Sequence, residues 1–115
     1  MNTNILGQAM AMEAMKVPQS YNEDQVAIWK KRRDLIYQGL IDLDLELWKP
    51  EGAFYVFPAI DNSNQVVNDL FYHHKIIVYD GDWFGTPNRI RFSYALDIEK
   101  IEEGLERFKA YLKQR

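Results

Sequence analysis

The stretch NRIRFSYALD, Asn88 to Asp97, decides how the chain folds. Successive side chains of a strand point to opposite faces. Ile90, Phe92 and Tyr94 therefore share one face, and Arg89, Arg91 and Ser93 share the other. The first set is apolar and suits a core. The second places two guanidinium groups on one side of a strand, so the sheet has a covered face and a cationic face. A guanidinium forks onto a carboxylate through two parallel hydrogen bonds, which serves a ligand or an acidic neighbour equally well. With 17 Asp and Glu in the chain, the residues alone favour the internal salt bridge.

Working outward, Asp80 to Asn88 reads as a loop with two glycines and a proline, and Ile76 to Tyr79 as a short strand. Lys49-Pro50-Glu51-Gly52 carries the proline and glycine of a type I turn. Ala53 to Phe57 then forms a strand closed by Pro58, with Phe54 and Val56 on one face and Ala53, Tyr55 and Phe57 on the other. Both faces are apolar, so both expect cover.

Four helices complete the pattern. Ile5 to Met15 is apolar nearly all round, and such a helix needs cover on several sides. Val17-Pro18 ends it, and Gln19 to Asn22 reads as a polar link. Glu23 to Leu43 carries Val26, Trp29, Ile36, Leu40 and Leu43 at helical spacing. Arg33 lies on that stripe with its stem packed and its charge outward, and Lys30, Lys31 and Arg32 suit a solvated face. Gly39 weakens the helix. Asn62 with Gln65 three residues later resembles a capping box opening a helix with Val66, Val67, Leu70 and Phe71 inward. His73, His74 and Lys75 suit the negative end of its dipole. Asp97 caps a last helix with Ile98, Ile101, Leu105, Phe108 and Leu112 on one stripe.

The order α-α-β-α-β-β-α predicts an α+β fold. It is a two-layer domain, a small, mostly antiparallel sheet with helices packed on one face. The other sheet face carries Arg89, Arg91 and Ser93 with one apolar set from Ala53 to Phe57. A surface partly apolar and partly cationic is natural on a piece of a larger protein, and in isolation it predicts self-association.

Composition sets the outer limits. At 115 residues and 47% hydrophobic the chain supports one modest domain with a real core. A net charge of −3 and a pI near 5.3 argue against nucleic-acid partners, which require a basic face. The absence of cysteine excludes disulfides and thiolate metal sites, and a reducing cytoplasm is the expected location. No apolar run approaches the roughly 18 residues of a membrane span, so no membrane partner is expected. The opening MNTNILGQAMAMEAMK lacks the basic region of a signal peptide.

Local chemistry beyond the arginines is sparse. His73 and His74 are adjacent on a helix and point about 100° apart, a poor arrangement for one metal ion. Asp80-Gly81-Asp82 lacks the later glycine and glutamate of a calcium loop. Gly81 and Gly85 match no phosphate-binding pattern.

Several segments together carry a resemblance. KPEGAFYVFP, GDWFG, RIRFSYA and the terminal IEEGLERFKAYL stand in an order and spacing similar to the C-terminal small domain of class I/II, fold type I, pyridoxal-phosphate-dependent aminotransferases. QAMAMEAM and YNEDQVAIWKKRRDLIYQGL resemble the helical lead-in to that domain, so residues 1–20 are assigned to the lead-in and 21–115 to the small domain. The resemblance implies that Arg91, just before the Phe-Ser-Tyr-Ala run, binds the α-carboxylate of the substrate. It implies no such role for Arg89, which is expected to be structural. Gly52 to Tyr55, Tyr55 included, and Phe84 are expected to flank the substrate. The family often has proline where this chain has Asp80, which leaves the course of that loop open.

The resemblance also implies what lies elsewhere. The Schiff-base lysine of the family stands in a Ser-Lys segment, and none of Lys16, Lys30, Lys31, Lys49, Lys75, Lys100, Lys109 or Lys113 has that setting. The expectation is a fragment, with Met1 an added or fortuitous start, inactive alone, without catalytic or cofactor-binding residues of its own and without bound pyridoxal 5'-phosphate. The parent is then a homodimeric enzyme moving an amino group between an amino acid and a 2-oxo acid, with its large cofactor-binding domain missing here. Two alternatives stay open: another fold type I enzyme, such as a lyase or acyl-transferring synthase, and an independent carboxylate-binding module. The identity of the amino donor is not legible in these residues.

Overall fold

Ile90–Ser93 (β3) is the middle strand of a three-stranded antiparallel sheet, between Tyr55–Val56 (β1) and Tyr79–Asp80 (β2). A computed structural model of the chain describes residues 3–115; Met1 and Asn2 lie outside the described residues, as does the reading of Met1 as an added start. Register pairs Tyr55 with Ser93 and Val56 with Phe92 on one side, and Tyr79 with Arg91 and Asp80 with Ile90 on the other. Val56, Asp80, Ile90 and Phe92 thereby face inward and are buried.

Helices Gln19–Ile41 (α2), Ser63–His74 (α3) and Ile98–Gln114 (α4) close over that inner face. Leu40, Leu70, Ile90 and Phe108 have no exposed surface, and each such side chain contributes about 1.5–3 kcal/mol on burial. The Phe92 and Phe108 rings meet edge to face at 5.1 Å between centroids, joining sheet to helix. Gly39, a poor helix former, has a packing reason: a Cβ there would lie 2.5 Å from Leu105 Cδ1, so its absence lets α4 approach α2.

The expected α+β order holds, but several elements differ in extent. The strand expected at 53–57 shrinks to Tyr55–Val56 because the chain bends through 51–54 and Ala53 takes a left-handed φ of 56°. The expected strand at 76–79 is displaced to Tyr79–Asp80, since Lys75 ends α3 in a left-handed conformation and the chain must travel before it meets β3. The expected strand at 89–95 is reduced to four residues, with Arg89 joined only by an isolated bridge to Ala59. Gln19 to Asn22 is helical rather than a link. The preceding helix already ends at Ala14, and Pro18, which has no N–H to satisfy, stands at the N-cap of the next.

Two expected caps are absent. Asn62 sits in the left-handed region without a side-chain cap bond, so there is no capping box. The start of α3 is held instead by Ser63, whose buried hydroxyl donates to Asp80 Oδ1 at 2.8 Å. Asp97 makes no side-chain cap bond either; its carboxylate accepts from Arg32 Nη2 at 2.7 Å. Arg32 is correspondingly mostly buried, not part of a solvated face as expected.

Helix Ile5–Ala14 (α1) buries no residue. Ile5, Leu6, Met10, Met12 and Met15 are all exposed, so the cover its sequence calls for is not supplied by the described residues.

Candidate functional site

The outer face of the sheet gathers Tyr55 from β1, Arg91 from β3 and Tyr79 from β2. A 3₁₀ turn, Gly81–Phe84, adds Phe84. Antiparallel pairing explains the grouping, because directly opposed residues share a face. The turn is tightly placed. The Gly81 N–H donates to Arg89 O at 2.8 Å, and Thr86 N–H donates to Gly81 O at 3.0 Å. A Cβ at Gly81 would stand 2.2 Å from Thr86 O and 2.6 Å from Arg89 O, so only glycine fits. Asp80 sets the turn from the other side, accepting the Asp82 N–H at 3.2 Å and the Ser63 hydroxyl on the same oxygen. The loop is thus held by a buried carboxylate.

The Arg91 guanidinium carbon lies 3.9 Å from the Phe84 ring centroid, 4.3 Å from that of Tyr55 and 5.0 Å from that of Tyr79. Ring faces attract a cation without consuming its N–H donors. Among the described residues Arg91 forms no ion pair and no side-chain hydrogen bond, and its Nε is buried without a partner. The guanidinium fork is thus left to whatever reaches that face.

Arg89 differs in kind. Its Nη2 pairs with Glu46 Oε1 at 2.7 Å, its Nη1 donates to Phe57 O at 2.8 Å, and its guanidinium carbon lies 4.2 Å from the Trp48 ring centroid. Its donors are spent on holding the 46–57 segment against β3.

Beside this face, Tyr94 pins the bend at 51–54. Its hydroxyl donates to Ala53 O at 2.9 Å and its N–H to Phe54 O at 2.9 Å. Burial pushes the Tyr94 phenol above its ordinary value, slightly opposed by Arg33. Trp29, Lys30, Arg33, Phe54 and Tyr94 border an open recess of about 430 Å³ at this bend.

Other sequence candidates do not assemble. His73 is exposed and His74 packs edge-on against Tyr111, and no group of three or more metal-ligating side chains occurs among the described residues. No helix among the described residues is long and apolar enough to cross a membrane. Sequence reasoning placed Arg91, Tyr55 and Phe84 but passed over Tyr79. Only the strand register brings Tyr79 opposite Arg91, and the one available hint was its place at the end of an expected strand.

The fold alone points to aminotransferases. The chain superposes on the crystal structure of an aspartate aminotransferase from Thermotoga maritima with a TM-score of 0.89 and 29% identity, covering 96% of this chain and 29% of that one. An alanine aminotransferase from Pyrococcus furiosus gives a TM-score of 0.90 at 29% identity, covering 97% and 30%. In sequence, the chain is 41% identical over 100 residues to a probable aspartate aminotransferase of Methanocaldococcus jannaschii, covering 83% of this chain and 26% of the relative. The family model for aminotransferases of class I and II matches residues 1–108. The chain belongs to the class I and II aminotransferase family, and it spans under a third of the length of these relatives.

Proposed function

We propose that this chain is the small domain of a pyridoxal-phosphate-dependent aminotransferase, residues 1–20 serving as lead-in, and that Arg91 binds the α-carboxylate of the substrate. The observation that carries the reading is the unspent fork of Arg91 inside an aromatic enclosure, on a chain otherwise rich in carboxylates. A planar fork on a strand fixes a carboxylate bidentately, and holding the substrate in one orientation lowers the entropic part of the barrier. Tyr55 and Phe84 border the same space.

In such enzymes the cofactor supplies the carbanion chemistry and the protein orients and polarises. None of the lysines of this chain stands in the Ser-Lys setting of the family's cofactor-binding lysine. All eight lysines are exposed, and Lys16, Lys49 and Lys100 are paired with Glu13, Asp34 and Glu103. Cofactor binding is therefore assigned to a large domain, with a homodimeric cytoplasmic enzyme as the working assembly and an amino acid and a 2-oxo acid as substrates. The chain alone is inactive in this reading, and borohydride treatment with pyridoxal phosphate should label no single lysine of it.

The test uses a full-length protein containing this chain. Arg91→Ala is expected to lower kcat/KM for the amino donor by about 30-fold or more, since truncating one partner of a hydrogen-bonded charge pair costs about 2 kcal/mol or more. An unchanged KM would remove the assignment.

A further inference from the structure

We propose that Tyr79 is a positioning residue for Arg91, its ring holding the guanidinium with the fork directed away from the sheet. The proposal rests on the reading of Arg91 as the carboxylate-binding group. Tyr79 is the register partner of Arg91 across the β2–β3 pair, so the two side chains stand side by side on the outer face. Its ring centroid lies 5.0 Å from the guanidinium carbon, while Phe84 and Tyr55 approach at 3.9 and 4.3 Å. Three rings from three separate segments thus enclose one cation. The Trp83 ring, 6.0 Å from that of Tyr79, backs it from the 3₁₀ turn.

An acidic residue in place of Tyr79 would anchor Arg91 equally well but would consume its donors, as Glu46 does for Arg89. A ring supplies attraction and leaves the donors open. The Tyr79 hydroxyl forms no hydrogen bond among the described residues, so the ring alone carries the role and phenylalanine should replace it.

Two measurements test this. In the isolated chain, the Arg91 Nε–Hε proton resonance reports the ring currents around it. Tyr79→Ile keeps a strand-forming residue and should shift that signal downfield, whereas Tyr79→Phe should leave it in place. In a full-length protein, Tyr79→Ile should raise KM for the amino donor about three- to tenfold, the range of a single cation–π contact. Its kcat and melting temperature should change little, and Tyr79→Phe should restore the wild-type KM. An unchanged resonance and KM in Tyr79→Ile overturn the proposal. So does a Tyr79→Phe variant as impaired as Tyr79→Ile. If Arg91→Ala raises KM while Tyr79→Ile does not, the positioning role fails and the carboxylate-binding role stands. If Arg91→Ala leaves KM unchanged, both fall.

Discussion

Replacing each of the two strand arginines by leucine should separate stability from binding. Arg89 has three attachments to lose. Its hydrogen bond to Phe57 O, from a charged donor, contributes about 1.5–3 kcal/mol. The Glu46 pair is worth less, about 0.2–1 kcal/mol, because the Glu46 side chain is 76% exposed and screened by water. Stacking on exposed Trp48 adds about 0.5–1 kcal/mol. Leucine recovers part of the packing of the stem, so Arg89→Leu should cost about 2 kcal/mol. That corresponds to a fall in melting temperature of about 6–10 °C for a chain of this length. Arg91 has only ring contacts to lose and a buried, unpaired Nε to be rid of. Arg91→Leu should therefore be neutral within about 1 kcal/mol, or stabilising, as is common where a site is kept at the expense of stability. Thermal melts and urea titrations of the two variants measure the difference. Equal losses for both, or a loss from Glu46→Ala as large as from Arg89→Leu, would refute the reasoning, the latter because it would put the ion pair above the half-buried bond from Arg89 to the Phe57 carbonyl.

Three further outcomes are expected. Asp80→Ala leaves the buried Ser63 hydroxyl and the Asp82 N–H without their acceptor and should cost about 2 kcal/mol in urea unfolding, with Asp80→Asn losing about half of that. Gly81→Ala drives a methyl group into two backbone carbonyls and should destabilise by at least about 2 kcal/mol; a soluble variant with an unchanged melting temperature would mean that the turn can shift freely. The Tyr94 phenol has its folded-state value raised above the ordinary 10.0 by burial, so its contribution is complete below pH 10 and is lost as the pH rises through the raised value. Tyr94→Phe should then show a flatter decline in stability above pH 10 than the parent chain, as read from melts across the alkaline range.

Element type was legible where period and length were clear. The 3.6-residue stripes of α2, α3 and α4 and the alternation of Ile90, Phe92 and Tyr94 are local patterns, and local patterns follow from backbone geometry alone. Element ends were less legible because they depend on partners. β1 stops short where Tyr94, 41 residues away, draws Ala53 into a left-handed bend, and α3 begins not with its own cap but with a hydrogen bond from Ser63 to Asp80, 17 residues on. Asp97 likewise reads as a cap until Arg32, 65 residues earlier, claims its carboxylate.

The division is clearest at the two arginines. By itself the amino-acid sequence determined that Arg89 and Arg91 lie on one strand face opposite an apolar one, and the order of the motifs determined the family. Residue chemistry and local spacing, the same for both guanidinium groups, did not distinguish them; only the resemblance set Arg91 apart, as the expected carboxylate-binding group, from a structural Arg89. The tertiary structure made that distinction through what long-range packing brings to each. Arg89 meets a carboxylate and a backbone carbonyl, and its donors are consumed. Arg91 meets three rings, which hold the cation by their faces and leave its hydrogen bonds unmade.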